Sequence, residues 1–481
     1  MFIVDLIRIL SVLLAIVGTT FLIPAGVAVY CGEFDVISSF LVPMLVSWIL
    51  CAAMMFFFRK RKISLNVRET YLVVACCWIF TSFFGMIPLL VSGAVPNFAD
   101  ALYESVSGFT TTGATVIGDV ESLPRSINLW RCLTHWLGGM GIVALTVALL
   151  PLLGVGGFQL IKAETTGPEK GKVTAKITTT AKILWISYLI LTVLQAILLK
   201  IFGMDFIDAF AHAFATLGTG GFSTKNASIG AYNSTAIDVI CTVFMFLAGI
   251  NFSLFYFAVR GKWREIYENS ELKAYFGIFV FFAVSIALCI TRIYGSFWTA
   301  LKHSAFQTAS IITTTGFSTA DFIDWPSTAQ FFIFVLFFIG GCSGSTGGGI
   351  KVIRWVILWK QVNNEIRKMI HPHGVFSLRI NNNPARKGLV FSVASFLLLY
   401  FLLILVTTFV GCVGKLDIFT AFTGALSMVG NIGPGFGALS PSGNYGFLPA
   451  FVKLWYCFAM LAGRLELYTM LIFFVPAYWK K

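Results

Sequence analysis

Four short polar stretches of the chain end in glycine: Thr110-Thr111-Thr112-Gly113, Gly218-Thr219-Gly220-Gly221, Thr313-Thr314-Thr315-Gly316 and Gly430-Asn431-Ile432-Gly433. The chemistry they offer belongs to the backbone. Glycine reaches angles closed to other residues, and carbonyls left without helix partners can face an axis. A ring of such carbonyls replaces the hydration shell of a cation. Four loops around one axis are the minimum such a ring needs, and a side chain at any of the four glycines would narrow it or turn a carbonyl away. The bland alternative is that each is a turn between hydrophobic hairpins, rich in Gly and Thr because turns often are.

The second and third stretches continue identically, as Gly221-Phe222-Ser223-Thr224 and Gly316-Phe317-Ser318-Thr319, which makes Gly221 rather than Gly220 the counterpart of Gly316. With that register the glycines recur 108, 95 and 117 residues apart. Each follows a semi-apolar segment of some 12 residues, which spans only about 18 Å as a helix and cannot cross a bilayer. The chain must return as non-helical backbone at membrane depth, which is tolerated only where protein buries it or water lines it. Internal repetition at such spacing is the first organising feature of a long chain. The repeat here is apolar helix, half-length helix, polar glycine turn, apolar helix.

The elements that position these turns follow from composition. Of 481 residues 58% are hydrophobic and 11% charged, whereas a soluble domain carries about a quarter charged residues. Ten apolar runs reach the ~20 residues that a spanning helix needs, near 5–30, 38–58, 70–91, 127–153, 183–203, 235–259, 274–294, 328–362, 388–411 and 448–478. The expected fold is an all-α polytopic membrane protein: a two-helix leader (1–66) and four pore repeats over 67–160, 161–265, 266–375 and 376–481. Basic linkers from Arg59 to Lys62, Lys162 to Lys182, Arg260 to Lys273 and Lys351 to Lys387 alternate with linkers poor in positive charge. By the positive-inside rule they are cytoplasmic, as are both termini. The net charge of +13 therefore reads as topology, not as a nucleic-acid footprint. Most of the ten cysteines fall inside apolar runs without ligand spacing and read as small core residues.

The eighth run is interrupted by Gly340-Gly341-Cys342-Ser343-Gly344-Ser345-Thr346-Gly347-Gly348-Gly349. Six glycines in ten residues cannot stay helical at about 1 kcal/mol each. The stretch is not a phosphate loop, because Ile350 separates the last glycine from Lys351 and no strand precedes it. A loop halfway through a helix below the turns suits an intramembrane gate; the alternative is a packing kink. Arg464, expected mid-helix in the last run, is expensive in a membrane and by default functional. It either presents positive charge to the axis or pairs with a carboxylate such as Glu466. Asp100, Glu104 and Asp208, near the outer ends of the half-helices, are read as capping the helix dipoles; the alternative is that they enrich cations at the mouth. His371-Pro372-His373 lacks a third ligand for a metal, and the basic segment 360–387 is the expected docking face for a regulatory partner. His135 and His212 stand isolated, so no enzymatic set is formed.

On these residues the whole chain resembles the Trk/Ktr/HKT superfamily of K⁺ transporters, and within it the bacterial TrkH-type membrane subunit. The resemblance rests on Thr112-Gly113, Gly220-Gly221, Thr315-Gly316, Asn431-Ile432-Gly433, the stretch Gly340 to Gly349 and Arg464. It implies K⁺ and Rb⁺ transport, with K⁺ held by carbonyls of Thr111, Thr112, Gly113, Thr219, Gly220, Gly221, Thr314, Thr315, Gly316, Asn431, Ile432 and Gly433. It also implies gating by the loop with Arg464, no organic cofactor on this chain, a homodimer with one pore per subunit, a cytosolic TrkA-type ring that binds NAD or ATP, and a bacterial inner-membrane location. Members that favour Na⁺ commonly carry serine at the first filter glycine, where Gly113 stands here. A cation-coupled symporter is the alternative; it would need mid-membrane carboxylates, and the spans hold few besides Asp5, Asp238 and Glu466.

Overall fold

The computed structural model describes residues 2–59, 65–141, 177–381, 383–384 and 388–480. Most of the basic cluster after Arg59, the end of the 127–153 run, the junction of the first two expected repeats and Lys387 lie outside the described residues. Apart from a two-residue ladder of Arg379–Ile380 with Asn383–Pro384, the described elements are helical.

Among the described residues six helices are long and apolar enough to cross a membrane: Ile3–Cys31, Phe34–Phe57, Arg68–Val91, Lys182–Ile201, Ser270–Tyr294 and Leu389–Val413. Their outward faces carry Ile186, Ile190, Leu288, Leu398, Leu405 and Phe409, each more than half exposed. A soluble protein rarely leaves that much contiguous apolar surface in water, so this is a multi-pass membrane protein. The N-terminal helices pack on Val67–Gly85, Phe98–Phe109 and Arg125–Gly139 through an aromatic knot. Phe21 stacks on Phe84 at 5.2 Å and meets Trp130 edge-on at 4.7 Å, and Trp130 in turn meets Phe109 at 6.1 Å.

Four shorter helices, Phe98–Phe109, Phe206–Leu217, Phe297–Ile312 and Ile418–Gly430, sit inside this shell and are buried along most of their length. Three begin at side-chain caps that accept backbone N–H bonds: Asn97 from Ala99, Asp205 from Ile207 and Asp417 from Thr420. Such caps satisfy donors that a helix start leaves free. Asp100 and Asp208 lie in the first turns of their helices, where they complement the dipole as expected; the capping role expected of Glu104 is corrected. Glu104 lies mid-helix, seven residues past the Asn97 cap.

The helices that follow the glycine turns end or bend part-way along. Arg125–Gly139 ends just after the paired glycines Gly138 and Gly139. Thr235–Ala248 turns by 95° into Phe252–Val259, and Ala450–Arg464 turns by 119° into the stretch Tyr468–Phe474. Between Ser327–Leu336 and Val352–Ile370 the chain runs as irregular backbone through the six-glycine stretch. Two expectations are corrected here. The runs 235–259 and 448–478 are bent pairs rather than straight spans, and Arg464 is the last residue of its helix rather than mid-helix. Counting each bent pair as one gives eight spans among the described residues.

Candidate ion-binding site

Each inner helix ends in the same way. The N–H groups of Thr112, Gly220, Thr315 and Ile432 bond five residues back, to the carbonyls of Ser107, Ala215, Ser310 and Ser427, at 2.8 to 2.9 Å. Those of Thr111, Thr219, Thr314 and Asn431 bond three residues back. This is the Schellman termination, which requires a left-handed residue at its centre. That residue is Thr111 (φ 56°), Thr219 (54°), Thr314 (58°) or Asn431 (54°). A β-branched residue at positive φ is an outlier, costing on the order of 1–3 kcal/mol and found where structure over-determines it. Two residues on, Gly113, Gly221, Gly316 and Gly433 are also at positive φ, 78°, 78°, 83° and 102°. Gly220 is not among the positive-φ residues, so the register drawn from the shared tetrapeptide is also the register of backbone angles.

The four turns touch in cyclic order. A Cβ on Gly113 would overlap the carbonyl oxygen of Gly220, one on Gly221 that of Thr315, and one on Gly316 that of Ile432; one on Gly433 would lie 2.6 Å from that of Thr112. Every turn therefore leans on the next, and the last closes on the first. Asn431 adds a side-chain tie across that closing contact, donating to the Thr112 hydroxyl at 2.9 Å and to the Met460 carbonyl at 3.0 Å. All twelve residues named from the sequence come together in this ring. What the ring offers chemically is backbone carbonyl oxygens from four neighbouring turns.

The six-glycine stretch lies against the inner face of the ring. Gly348 donates its N–H to the Thr314 hydroxyl at 2.6 Å, and Gly347 approaches the Thr313 carbonyl so closely that a Cβ would lie 2.9 Å away. The bend at Gly249–Asn251 holds its other flank, through Cys342 N–H to Gly249 O at 2.8 Å and Phe252 N–H to Gly344 O at 3.1 Å. Glu271 accepts from the N–H groups of Ser343 and Ile353 at both ends of the stretch. Lys351, buried, donates to the Gly347 carbonyl.

Arg464 reaches the same stretch from the end of helix Ala450–Arg464. Its guanidinium donates to the Thr346 carbonyl at 2.8 Å and to the carbonyls of Gly138 and Gly139 at 2.5 and 2.9 Å. Glu466, the pairing partner considered for it, instead holds Arg354 at 2.6 Å. Arg354 also lies 3.6 Å above the Phe396 ring. Placing Arg464 at a helix end explains its reach, because the bend frees the side chain to span two repeats.

Several contacts around the ring had no signal in the sequence beyond residue type. Asp100 pairs with Lys453 at 2.6 Å, and Asp208 accepts from the hydroxyls of Thr224 and Tyr232. Tyr445 donates its hydroxyl to the Gly433 carbonyl at 2.8 Å. His135 and His212, isolated in sequence, each bridge a half-helix carbonyl to the backbone or a hydroxyl beyond a glycine turn.

A family model described as TrkH, cation transport protein, matches residues 37–294 and 296–481. The chain belongs to the TrkH cation transport family. That is a family of transporters and not of enzymes. Curated relatives include the Trk system potassium uptake protein TrkH of Halomonas elongata, 40% identical over 88% of both chains, and that of Escherichia coli K12, 38% identical over 88% of both. The TrkH of Vibrio parahaemolyticus is 37% identical over 99% of both chains. A crystal structure titled as the potassium transporter TrkH from that organism superposes with a TM-score of 0.86 over 100% of each chain at 34% identity.

Proposed function

We propose that this TrkH-family chain takes up K⁺, and Rb⁺, across the bacterial inner membrane through one pore per subunit. Ten spans, eight of them in four repeats behind the two-helix leader, surround the pore, and both termini are cytoplasmic. The ring of four glycine turns is the selectivity filter, with the transported ion dehydrated against carbonyls of Thr111 to Gly113, Thr219 to Gly221, Thr314 to Gly316 and Asn431 to Gly433. The stretch Gly340 to Gly349 is the gate and Arg464 its latch. The subunit works as a homodimer on a cytosolic, nucleotide-binding ring of the TrkA type.

One observation carries this reading: four turns with one pattern of left-handed residues, each seated on the next in a closed cycle. Turns that merely joined hairpins would have no reason to share backbone angles or to meet. The half-helices also aim their carbonyl ends at the ring, where the dipole favours a cation. For the alternative of a symporter coupled to H⁺ or Na⁺, two of the three span carboxylates, Asp238 and Glu466, are engaged with Lys302 and Arg354. Protein reconstituted alone in KCl-loaded liposomes, without valinomycin, is expected to pass K⁺ and Rb⁺ well ahead of Na⁺, and Gly113→Ser to erode that preference. Flux that needs a pH gradient and ignores Gly113→Ser would replace the pore with a coupled carrier.

A further inference from the structure

The first two turns of the ring are held by a charged network that the other two lack among the described residues. Arg131 and His135 lie one helical turn apart on Arg125–Gly139, and both are buried. Arg131 grips Glu104, a residue of the first half-helix, through Nη2 at 2.6 Å and Nε at 2.8 Å; the two side chains are 2% and 0% exposed. Glu104 sits nine residues before Gly113, and its free valences are used on the backbone that leaves that glycine. It accepts the Val116 N–H at 3.0 Å and the Thr115 hydroxyl at 3.0 and 3.1 Å. Arg131 Nη2 donates to that hydroxyl as well, at 3.2 Å.

The same two helix residues also hold the second turn. The Arg131 guanidinium lies 4.4 Å over the ring of Phe222, directly after Gly221, and Nη1 points to the Ser223 carbonyl at 3.5 Å. His135 bonds the Gly108 carbonyl through Nδ1 at 2.7 Å and receives the Phe222 N–H on Nε2 at 3.2 Å. Since a carbonyl only accepts, Nδ1 carries the proton and the tautomer is fixed. Gly220 must be glycine for this ring to fit, because a Cβ there would overlap the imidazole. At the position of Glu104 the third repeat has Gln307, which donates to the Ala320 carbonyl at 2.8 Å, and the fourth has Gly424.

We infer that the Glu104–Arg131 pair, with Thr115, is a specificity-positioning device that sets the spacing of the first and second filter turns, so that discrimination of K⁺ from Na⁺ depends on charged residues that never touch the ion. Plain stability is a weak reason for such a pair, because desolvation offsets much of the attraction and a packed apolar set often does as well. Geometry is the better reason. A planar guanidinium makes two fixed bonds and a stacking contact at once, which a lysine ammonium cannot. Ring size and the field of its oxygens are what select between ions, and both follow from where Thr115 and Phe222 are anchored.

The inference rests on the filter reading above. The test compares bi-ionic K⁺/Na⁺ permeability of reconstituted wild type, Thr115→Val and Arg131→Lys, with Lys302→Met as a control that breaks the Asp238 pair at 3.0 Å away from the turns. Thr115→Val keeps volume and charge, so it folds even if the lysine variant does not. Both network variants are expected to conduct K⁺ while the K⁺/Na⁺ ratio falls by about fivefold, the factor that one net hydrogen bond of roughly 1 kcal/mol represents. The control keeps the wild-type ratio. Where a variant conducts too little, the gain in thermal midpoint from K⁺ over that from Na⁺ reads the same preference, because a bound ion stabilises by mass action; that difference shrinks in the network variants. Network variants that keep the wild-type ratio, or that lose K⁺ and Na⁺ flux in equal proportion with unchanged ion-dependent stabilisation, overturn the inference. A wild type without K⁺ preference would instead sink the filter reading itself.

Discussion

Arg464→Met removes the charge and every donor from the latch while keeping an unbranched side chain of similar reach. Among the described residues the guanidinium makes three bonds to carbonyls, two of them to Gly138 and Gly139, outside the six-glycine stretch. Only the bond to the Thr346 carbonyl, at 2.8 Å, is made to the stretch and so distinguishes its seated from its displaced state. A hydrogen bond from a charged donor contributes about 1.5–3 kcal/mol net, so its loss raises the displaced-to-seated ratio by about 10- to 150-fold at a decade per 1.4 kcal/mol. The remaining ties from Thr314, Gly249 and Glu271 still hold the stretch, which places the expected gain near the lower end. Initial K⁺ efflux from liposomes, normalised to inserted protein and without any regulatory subunit, reads it directly. The thermal midpoint drops as well, through the lost Gly138 and Gly139 bonds. An inserted, folded Arg464→Met that conducts at or below the wild-type rate refutes the latch and leaves Arg464 a helix-end staple.

Thr314→Val leaves the Gly348 N–H without its acceptor, a penalty of about 1–3 kcal/mol for a buried donor; K⁺ leak in the same efflux assay is expected to rise without loss of protein from the membrane. Asp417→Ala removes the cap of the last half-helix and should lower the thermal midpoint by the equivalent of about 1 kcal/mol, whereas Asp417→Asn keeps an acceptor and loses less. The Thr420 hydrogen bonds hold the Asp417 carboxyl below its ordinary value. Its contribution is therefore present above the usual aspartate range and lost as pH falls through the lower folded value, so acid melts should narrow the gap between wild type and Asp417→Asn. A gap that widens on acidification contradicts the assignment.

Apolar length, basic linkers and the recurrence of a polar glycine turn were enough to point to a multi-pass chain with internal repeats. The tetrapeptide shared by Gly221 and Gly316 was enough to choose between adjacent glycines. Clustered glycine also located the interruption between Leu336 and Val352, because local helix cost alone forbids a helix there. The other bends were not legible for the opposite reason. Residues 235–259 and 448–478 are apolar enough on average to read as spans, and what turns them is tertiary: the Gly249 carbonyl accepts from Cys342, and the segment after Arg464 passes through Glu466 and Leu467 at φ 53° and 61°. No propensity marks a glutamate and a leucine for left-handed backbone.

Among the acids expected at helix starts, Glu104 was misplaced: it sits mid-helix and answers to Arg131, 27 residues on. Asp100 and Asp208 keep first-turn positions but also have partners brought in by the fold, Lys453 across 353 residues and Tyr232 across 24. A dipole contributes about 0.3–1 kcal/mol at an exposed helix start, less than a buried carboxylate requires when it has no counter-charge. The partner therefore decides the role. Arg464 follows the same logic, with backbone carbonyls of two other repeats as its partners.

The central claim is that the four turns hold the transported ion, and anomalous scattering from crystals grown in Rb⁺ or Tl⁺ tests it most directly. The account predicts a peak on the axis encircled by carbonyls from all four of Thr112-Gly113, Gly220-Gly221, Thr315-Gly316 and Ile432-Gly433, weakened when Na⁺ replaces the heavy ion. Peaks at saturating ion that lie elsewhere in the bundle, with the ring empty, would contradict it.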